Sequence, residues 1–519
     1  MSLIALKKTD VEGREVFGIL VALCVVGLLW GAGTSIARGD FKEMILVGVG
    51  FVVLCVTGLI ISDWRSGVYL FLVWLLFEDL VRKYAGNNMT VYFAKDALVG
   101  VTYLAFMKAA RPRVTFLPPA LRLTLGLFVL LEMVQIFNPN SPSLLYGVLG
   151  VKLYFYYVPL MFVSYALLRT ELDLRRLLFL SMGAAGVIAL VGIAQSVIGL
   201  DFLNPKGGAD IDELGHLTRY TPSGVAVPRP PSVFVSDGRF AEYILLAFIL
   251  GLGTVGYLLL RGKGGRKLVF PCVGLVALAS VMSGGRGCFV YVLATSLVIP
   301  VGLLWGAPGN SADTYRLFKA IRRTFIAVAL ALTLGATLFP KEIGAPLSFY
   351  RETVALDSKD SETINRTWDY PLANFLVAFS DREWMIGHGI GTASLGVQYV
   401  SHLLGEPAPK IGVENGWGTL IAESGIFGLI LWLLWTILFI FSALKVMFQL
   451  KGRATYPIAL AIVWFAFLLL FPFTWGSMVE YQNFVINAYF WLLAGILFRL
   501  PTLEPATPAE LRFKYARTR

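Results

Sequence analysis

Charged residues and histidines are scarce in this sequence. Lys, Arg, Asp and Glu make up 15% of its 519 residues, and there are 3 histidines. Because soluble domains contain about 25% charged residues, this scarcity excludes a water-soluble globular enzyme. The 57% share of hydrophobic types also excludes a disordered chain.

Cysteine is rare as well, and its placement excludes a disulfide framework. All four cysteines fall inside or at the rim of apolar runs: Cys24, Cys55, Cys272 and Cys288. The sequence has no clustered Cys/His zinc ligands, no Gly-rich Lys-Ser/Thr phosphate loop and no Gly-x-Ser-x-Gly elbow. Asp210-Ile-Asp212 could pair two carboxylates on a divalent metal, but acids so spaced are common in solvated loops. We predict no metal and no cofactor.

Long apolar runs are abundant, and the mean hydropathy is +0.72. Runs of about twenty residues suit a helix that crosses roughly 30 Å of hydrocarbon, whereas barrel strands would alternate in segments of about ten. The sequence therefore predicts an all-α, polytopic transmembrane helical bundle of about 12–14 spans. The candidate spans are Val16–Ala37, Met44–Ile61, Gly67–Phe77, Met89–Met107, Leu121–Phe137, Leu144–Leu168, Leu177–Ile198, Phe240–Leu260, Leu268–Met282, Cys288–Leu304, Thr324–Phe339, Gly416–Leu444, Ile458–Trp475 and Phe484–Phe498.

The distribution of Lys and Arg predicts the orientation. The net charge is +11. Most of the basic residues lie in alternate connections between the predicted spans, so we attribute this charge to membrane topology rather than to a nucleic-acid partner. This pattern places both termini in the cytoplasm, with an even number of spans and no cleavable signal. Two long polar loops, Asp201–Arg239 and Lys341–Asn415, then face outward, and such loops are usually functional. Within the second, Pro371–Phe379 is apolar but too short to cross, which predicts a short helix at the outer interface.

Several arginines stand on the outer side against the trend in charge: Arg229, Arg286, Arg351 and Arg366. A guanidinium presents a planar fork of donors that fits phosphate oxygens. Outer arginines near a bilayer are therefore candidate ligands of a lipid diphosphate. The alternative is that each pairs with a nearby carboxylate or a lipid headgroup. Arg286 has glycines on both sides and no acidic neighbour in sequence.

Charges also fall within predicted spans. Lys152 lies in Leu144–Leu168, where a charge usually faces the bundle interior or a polar cavity; the alternative is snorkelling to the interface. Lys95 and Asp96 are adjacent in another span and could form the ion relay of a transporter.

The candidate acid–base groups on the outer side are His388, His402 and Glu414. Glu414 immediately precedes a spanning helix, where a carboxylate is favoured and could accept a proton from an attacking hydroxyl. The alternative is an ordinary helix cap. His388 lies in Gly387-His-Gly-Ile-Gly, but this is not a dinucleotide loop, because no strand precedes it.

Short motifs follow one another along the chain. They are Gly150-Val-Lys-Leu-Tyr; Gly238-Arg-Phe-Ala-Glu-Tyr after Arg229; Ser283-Gly-Gly-Arg-Gly; Asn365-Arg-Thr-Trp; Trp384-Met-Ile-Gly-His-Gly-Ile-Gly; Glu414-Asn-Gly-Trp; and Glu423-Ser-Gly-Ile-Phe-Gly-Leu. In this order they resemble the O-antigen ligase and O-antigen polymerase superfamily of bacterial surface-polysaccharide assembly, most closely between about Arg229 and Leu429.

The resemblance implies a membrane glycosyltransferase with a GT-C-like fold. Its donor would be a polyprenyl-diphosphate-linked glycan, transferred with inversion to a hydroxyl acceptor without metal or nucleotide sugar. The family's two key arginines would fall on Arg229 and Arg366, with Arg286 and Lys152 as further diphosphate ligands. The catalytic position of the family falls on Glu414, where a ligase commonly carries histidine, and His388 is the reserve candidate. This departure favours a polymerase-like transferase.

The resemblance also suggests how the chain is divided. Transmembrane helices at 1–228 precede a ligase/polymerase-like core at 229–444, which includes an external loop with short helices at 341–415. Transmembrane helices at 445–498 and a basic cytoplasmic tail at 499–519 follow. The expected location is the bacterial cytoplasmic membrane, with the active site on the external face and polysaccharide-assembly proteins as possible partners. The alternatives are an O-antigen ligase, a flippase for lipid-linked oligosaccharides and a structural scaffold.

Overall fold

The computed structural model describes residues 41–86, 88–109, 116–205, 217–220, 226–261, 264–306, 333–354, 365–409 and 411–503, with single positions at 224 and between 315 and 330. The predicted span Val16–Ala37, the Asp210-Ile-Asp212 motif and the tail beyond 503 lie outside the described residues. Of the predicted span Thr324–Phe339, positions 326, 330 and 333–339 are described.

Within the described ranges, helices account for nearly all of the regular structure. They are α1 Phe41–Ser62, α2 Trp64–Tyr84, α3 Met89–Ala109, α4 Pro119–Gln135, α5 Leu144–Phe155, α6 Leu160–Leu167, α7 Glu171–Ile198, α8 Asp237–Arg261, α9 Arg266–Met282, α10 Arg286–Trp305, α11 Ala345–Val354, α12 Tyr370–Ala378, α13 Val397–Leu404, α14 Gly416–Gln449, α15 Tyr456–Leu468, α16 Thr474–Gly476, α17 Val479–Gln482 and α18 Phe484–Arg499. Strands β1 Thr218–Tyr220 and β2 Ala226–Pro228 pair antiparallel, with Arg219 opposite Val227. The all-α prediction is confirmed.

Among the described residues, seven helices are long and apolar enough to cross a membrane. They are Leu144–Leu167, Glu171–Ile198, Asp237–Arg261, Arg286–Trp305, Gly416–Gln449, Tyr456–Gly476 and Phe484–Thr502. Five further predicted spans correspond to α1, α2 and α3 and to α4 and α9, the last two with 17 residues each. The chain therefore has the character of a multi-pass membrane protein, and the total of 12–14 spans stays a prediction.

The described residues group into two compact units. One is drawn from Met1–Trp74 and Tyr92–Arg111, and the other from Leu75–Val91 and Pro112–Arg519. In the larger unit, α8 packs against α9, α10 and α15, while α14 packs on α4 and α18 on α6. Small residues allow such helices to approach closely: a Cβ atom on Gly253 of α8 would lie 2.6 Å from the Cβ of Ala461 on α15.

The segment predicted as Leu144–Leu168 is interrupted. Helix α5 ends at Phe155, and α6 begins at Leu160 after Pro159. Proline lacks an N–H and clashes with the preceding turn, which accounts for the interruption.

Short helices occupy the region between 341 and 415, as predicted. Helices α11, α12 and α13 lie there, and α12 coincides with the apolar stretch Pro371–Phe379 to within one residue. π-helical turns at Pro340–Gly344 and Asn365–Asp369 lead into α11 and α12.

Candidate functional site

Arg229 lies directly after β2 and faces the start of α8. Its Nη2 atom is 2.5 Å from Oδ2 of Asp237, and each side chain is 19% exposed. The predicted alternative, that Arg229 pairs with a nearby carboxylate, therefore holds. Within the described chain, Nε of Arg229 is buried and has no hydrogen-bond partner, so this guanidinium keeps an unused donor.

A glycine turn brings the start of α10 against Arg229. Gly284 has φ +63°, and a Cβ there would lie 2.8 Å from Cγ of Arg229. Only glycine gives this combination of left-handed backbone and close approach. Arg286, two residues later, is the first residue of α10. The turn Ser283–Arg286 thus places two of the predicted diphosphate ligands at one locality.

Helix α11 covers this locality. The guanidinium of Arg286 lies 5.7 Å from the ring centroid of Phe349, and Tyr350 stacks on Phe289 with a centroid distance of 4.1 Å. The Tyr350 hydroxyl donates to the carbonyl of Val281 at 2.9 Å. Burial, with electrostatic repulsion from Cys288, raises the pKa of Tyr350 above its usual value, so the hydroxyl stays a neutral donor.

A shallow open cavity of about 340 Å³ lies beside α11, and its lining includes Arg351, Tyr350 and Phe289. Arg351 belongs to α11 itself. Arg286 contacts Phe349 of this helix, and Arg229 follows β2, whose Val227 packs with Phe349 and Tyr350. The N-terminus of α10 adds backbone donors and a favourable dipole for an anion. We call this set (Arg229, Asp237, Gly284, Arg286, Phe349, Tyr350, Arg351) the arginine cluster. The cluster contains three cationic side chains, of which Arg229 is paired with Asp237.

Further charged groups lie on α8 next to this cluster; sequence reasoning quoted Arg239 and Glu242 only as part of a motif and did not mention Asp79. Nη1 of Arg239 lies 2.8 Å from Oδ2 of Asp79, and its guanidinium is 4.7 Å from the ring of Phe484. Asn483 donates to Glu242 at 2.6 Å. Asp79 and Glu242 each lie close to or inside an apolar run. Because charges there are costly unless they are paired, these two acids could have indicated buried ion pairs or hydrogen bonds.

Glu414 lies exposed immediately before α14. Its Oε2 accepts a hydrogen bond from the Tyr370 hydroxyl at 2.7 Å. The helix is capped by the next residue, because the Asn415 side chain accepts from the N–H of Gly418 at 2.8 Å. The expectation that Glu414 acts as an ordinary cap is therefore wrong, and its carboxylate is held by a hydroxyl instead.

Arg366 falls in the π-helical turn Asn365–Asp369, directly before α12, and its side chain is outside the described atoms. The turn packs on Trp475, whose Nε1 donates to the Thr367 carbonyl at 3.3 Å. The Asn415 amide also donates to the carbonyl of Trp475. Trp475 therefore joins the segments that carry Arg366 and Glu414.

His388 forms a pair with an acid that the sequence did not single out. Its Nε2 lies 2.8 Å from Oδ2 of Asp381, and both side chains are partly exposed. Partial burial raises the pKa of the Asp381 carboxyl, but hydrogen bonds from the Glu383 N–H and from His388 outweigh this and hold it below its usual value. Asp381 is thus an ionised partner for the imidazole.

The segment around His388 is bound to a break in α14. Gly425 has φ +69° and ψ −174° inside this helix. The freed carbonyls of Ala422 and Glu423 accept the N–H groups of His388 and Gly389, each at 2.8 Å. A broken helix in a membrane protein needs such internal partners.

Buried Glu423 fixes the same segment through its side chain. Its Oε1 accepts from the Ala393 N–H at 2.9 Å and from the Ser394 hydroxyl at 2.7 Å, while Oε2 accepts from the Tyr154 hydroxyl at 3.0 Å. Sequence reasoning quoted Glu423 only as part of a motif. The signal was again a carboxylate inside an apolar run.

Three further candidates were predicted from the sequence: Lys152, His402 and Lys95. Lys152 lies half-buried in the last turn of α5, and His402 lies exposed on α13. Lys95 is buried on α3 in the smaller unit. Its ammonium donates to the backbone carbonyl of Tyr92 and lies 3.4 Å from the centroid of the Tyr92 ring.

No group of three or more His, Cys, Asp and Glu residues suited to a metal ion occurs within the described part of the chain. Comparison with models of known protein families gave no match, and comparison with curated proteins gave no significant match.

Proposed function

We propose that this protein is a membrane glycosyltransferase that acts at the outer leaflet of the bacterial cytoplasmic membrane. Its donor would be a glycan linked to a polyprenyl diphosphate. The observation that carries the proposal is the arginine cluster, in which the Gly284 turn packs on Arg229 and starts α10 at Arg286. The order of the sequence motifs and the GT-C-like arrangement that they imply agree with this assignment.

In the proposed reaction, the diphosphate lies against Arg229 and Arg286, with Arg366 completing the site. The acceptor hydroxyl transfers its proton to the Glu414 carboxylate as its oxygen attacks the anomeric carbon. A new glycosidic C–O bond forms while the anomeric C–O bond to phosphate breaks, and the diphosphate leaves with the electron pair. Fixed cations stabilise this developing charge, and a positioned base contributes about 10²–10⁴-fold.

We favour glycan polymerisation over ligation. Glu414 takes the position where the ligases of the resembled superfamily commonly carry histidine, and its carboxylate is exposed and oriented by Tyr370. The product would then be a chain of repeated oligosaccharide units.

The test uses the full-length protein in proteoliposomes with EDTA. The donor is lipid-linked oligosaccharide from cells of the source organism that lack this protein, and the acceptor is oligosaccharide released from the same lipid by mild acid. Products of increasing repeat number support a polymerase. A single block transferred only to an added envelope lipid fraction would establish a ligase.

Variants at the arginine cluster complete the test. Arg286→Ala and Arg229→Ala should each lower turnover at least tenfold, because each removes a cation from the leaving diphosphate. Arg169→Ala is the matched control. Arg169 is exposed in the connection between α6 and α7, away from the cluster in sequence. Unchanged turnover in both cluster variants would refute the proposed diphosphate site.

A flippase for lipid-linked oligosaccharides is the competing function, and the buried Lys95 on α3 is the observation that favours it. A flippase would move labelled donor across the proteoliposome membrane without consuming it. Lys95→Met should abolish that movement if the charge is part of a transport pathway.

A further inference from the structure

The strongest unassigned feature is a second cavity beside the His388–Asp381 pair. It has a volume of about 230 Å³ and lies between the C-terminal end of α12 and the segment that leads into α14. Val377, Ser380 and Asp381 line one side, and Val413 and Ala422 line the other.

From this cavity we infer a subsite for one sugar unit of the acceptor glycan, an inference that rests on the proposed function. The walls combine apolar side chains with a carboxylate and a hydroxyl. A pyranose ring presents C–H faces and a rim of hydroxyl groups, which such a mixed surface matches. Hydroxyl groups that donate to the Asp381 carboxylate would form charge-assisted hydrogen bonds.

The polar edge of the cavity is held in place before any ligand binds. Asp381 Oδ1 accepts from the Glu383 N–H at 2.9 Å, and Oδ2 contacts His388. The backbone N–H of His388 in turn donates to the carbonyl of Ala422, and Ala422 lines the cavity. A site whose groups are fixed in this way loses little entropy on binding.

The position of the cavity also fits an acceptor subsite. Val413 lines it, and the next residue is Glu414, the proposed base. Tyr370, which donates to Glu414, begins the helix α12 that carries Val377 at its other end. One rigid helix thus connects the sugar-binding wall to the group that orients the base.

The test separates acceptor binding from donor chemistry. Water can compete with the sugar hydroxyl for the anomeric carbon, so the products of transfer to each are measured in the same proteoliposomes, with the acid-released oligosaccharide as the acceptor. Ser380→Trp fills the cavity from an exposed rim position. It should raise the acceptor KM about tenfold or more, a change of ~1.4 kcal/mol, and leave donor hydrolysis within about twofold.

Asp381→Asn is the second variant, because it keeps the shape of the side chain and removes its charge. It should also raise the acceptor KM. Leu376→Trp is the matched control, since Leu376 is exposed on the same helix and does not line the cavity. Arg286→Ala differs from all three, because it should lower transfer to the sugar and to water together.

The outcomes are distinct for the two proposals. An unchanged acceptor KM in both Ser380→Trp and Asp381→Asn overturns the acceptor subsite and leaves the transferase proposal in place. A wild-type protein that consumes no donor, with or without acceptor, overturns both. A loss of hydrolysis in Ser380→Trp equal to the loss of transfer would also refute an acceptor role.

Discussion

At the scale of single residues, the pair of Asp381 and His388 makes stability depend on pH. Since the pKa of Asp381 in the folded protein lies below its ordinary value of 3.8, the ionised carboxylate stabilises the folded state above that pH. The contribution is lost as the pH falls through the folded-state pKa.

We expect Asp381→Asn to lower the unfolding temperature at neutral pH and to match the wild type in strong acid. Thermal unfolding in detergent between about pH 3 and pH 7 measures the difference between the two proteins. Glu406→Gln, at an exposed loop position, serves as the control. A difference that stays constant across this range would show that the ionised Asp381 carboxylate does not contribute to stability.

A second residue-scale prediction concerns the buried Glu171 at the start of α7. Its Oε1 accepts from the Tyr257 hydroxyl at 2.5 Å and from Arg261 Nε at 2.8 Å. Glu171→Ala leaves a buried hydroxyl and a partly buried guanidinium without this acceptor, which should cost about 1–3 kcal/mol. Chemical denaturation in mixed micelles provides the measurement.

Glu171→Gln distinguishes the charge from the hydrogen bonds at the same position. The amide keeps one acceptor for Tyr257 and loses the ionic attraction to Arg261, so its loss of stability should be smaller than that of Glu171→Ala. Equal losses in the two variants would contradict a role for the hydrogen bonds.

At the scale of elements, the break in α14 is the least replaceable local feature. A Cβ on Gly425 would lie 2.1 Å from the Met385 carbonyl oxygen, and its φ of +69° disfavours any other residue. We therefore expect Gly425→Ala to destabilise the protein by more than about 1–3 kcal/mol and to weaken transfer. Loss of the two backbone hydrogen bonds to His388 and Gly389 would accompany it.

Gly274→Ala in α9 is the matched control for this prediction. No atom lies within 4 Å of the position that its Cβ would take, and alanine exceeds glycine in helix propensity by about 1 kcal/mol. Its unfolding temperature should equal or exceed that of the wild type. Wild-type stability in Gly425→Ala, measured side by side, would contradict a required break.

The elements that the sequence predicted well are those set by local composition. Apolar length located α8, α10 and α18 to within a few residues, since every such run has to form a helix in a bilayer. The break at Gly425 was not predicted, because the run Gly416–Leu444 was assigned as one continuous span although it contains Glu423, Ser424 and Gly425. What creates the break is a partner segment at Trp384–Gly389, distant in sequence.

The same limit applies to the site. The arginines could be selected by charge and position, but their partners could not. Asp237 and Asp381 lie eight and seven residues from Arg229 and His388, and ordinary helix or turn spacing does not connect either pair. The cap of α14, by contrast, is local: Asn415 accepts from the Gly418 N–H three residues on, and the preference of Asn for such positions could have indicated it.

At the scale of the whole molecule, the proposed chemistry depends on orientation. The donor site, the base and the acceptor cavity have to face the same side of the membrane, and the distribution of Lys and Arg predicts that this side is external. Glu406, in the 341–415 region, and Lys451, after α14, are both exposed and stand on predicted opposite sides.

Single cysteines at these positions test the orientation directly. In a background with Cys24, Cys55, Cys272 and Cys288 replaced by serine or alanine, Glu406→Cys should react with a membrane-impermeant maleimide in intact cells. Lys451→Cys should react only after the membrane is permeabilised, because the loop after α14 is predicted to be cytoplasmic. The reverse pattern would place Glu414 on the cytoplasmic side and would refute transfer at the outer leaflet, whatever the activity of the purified protein.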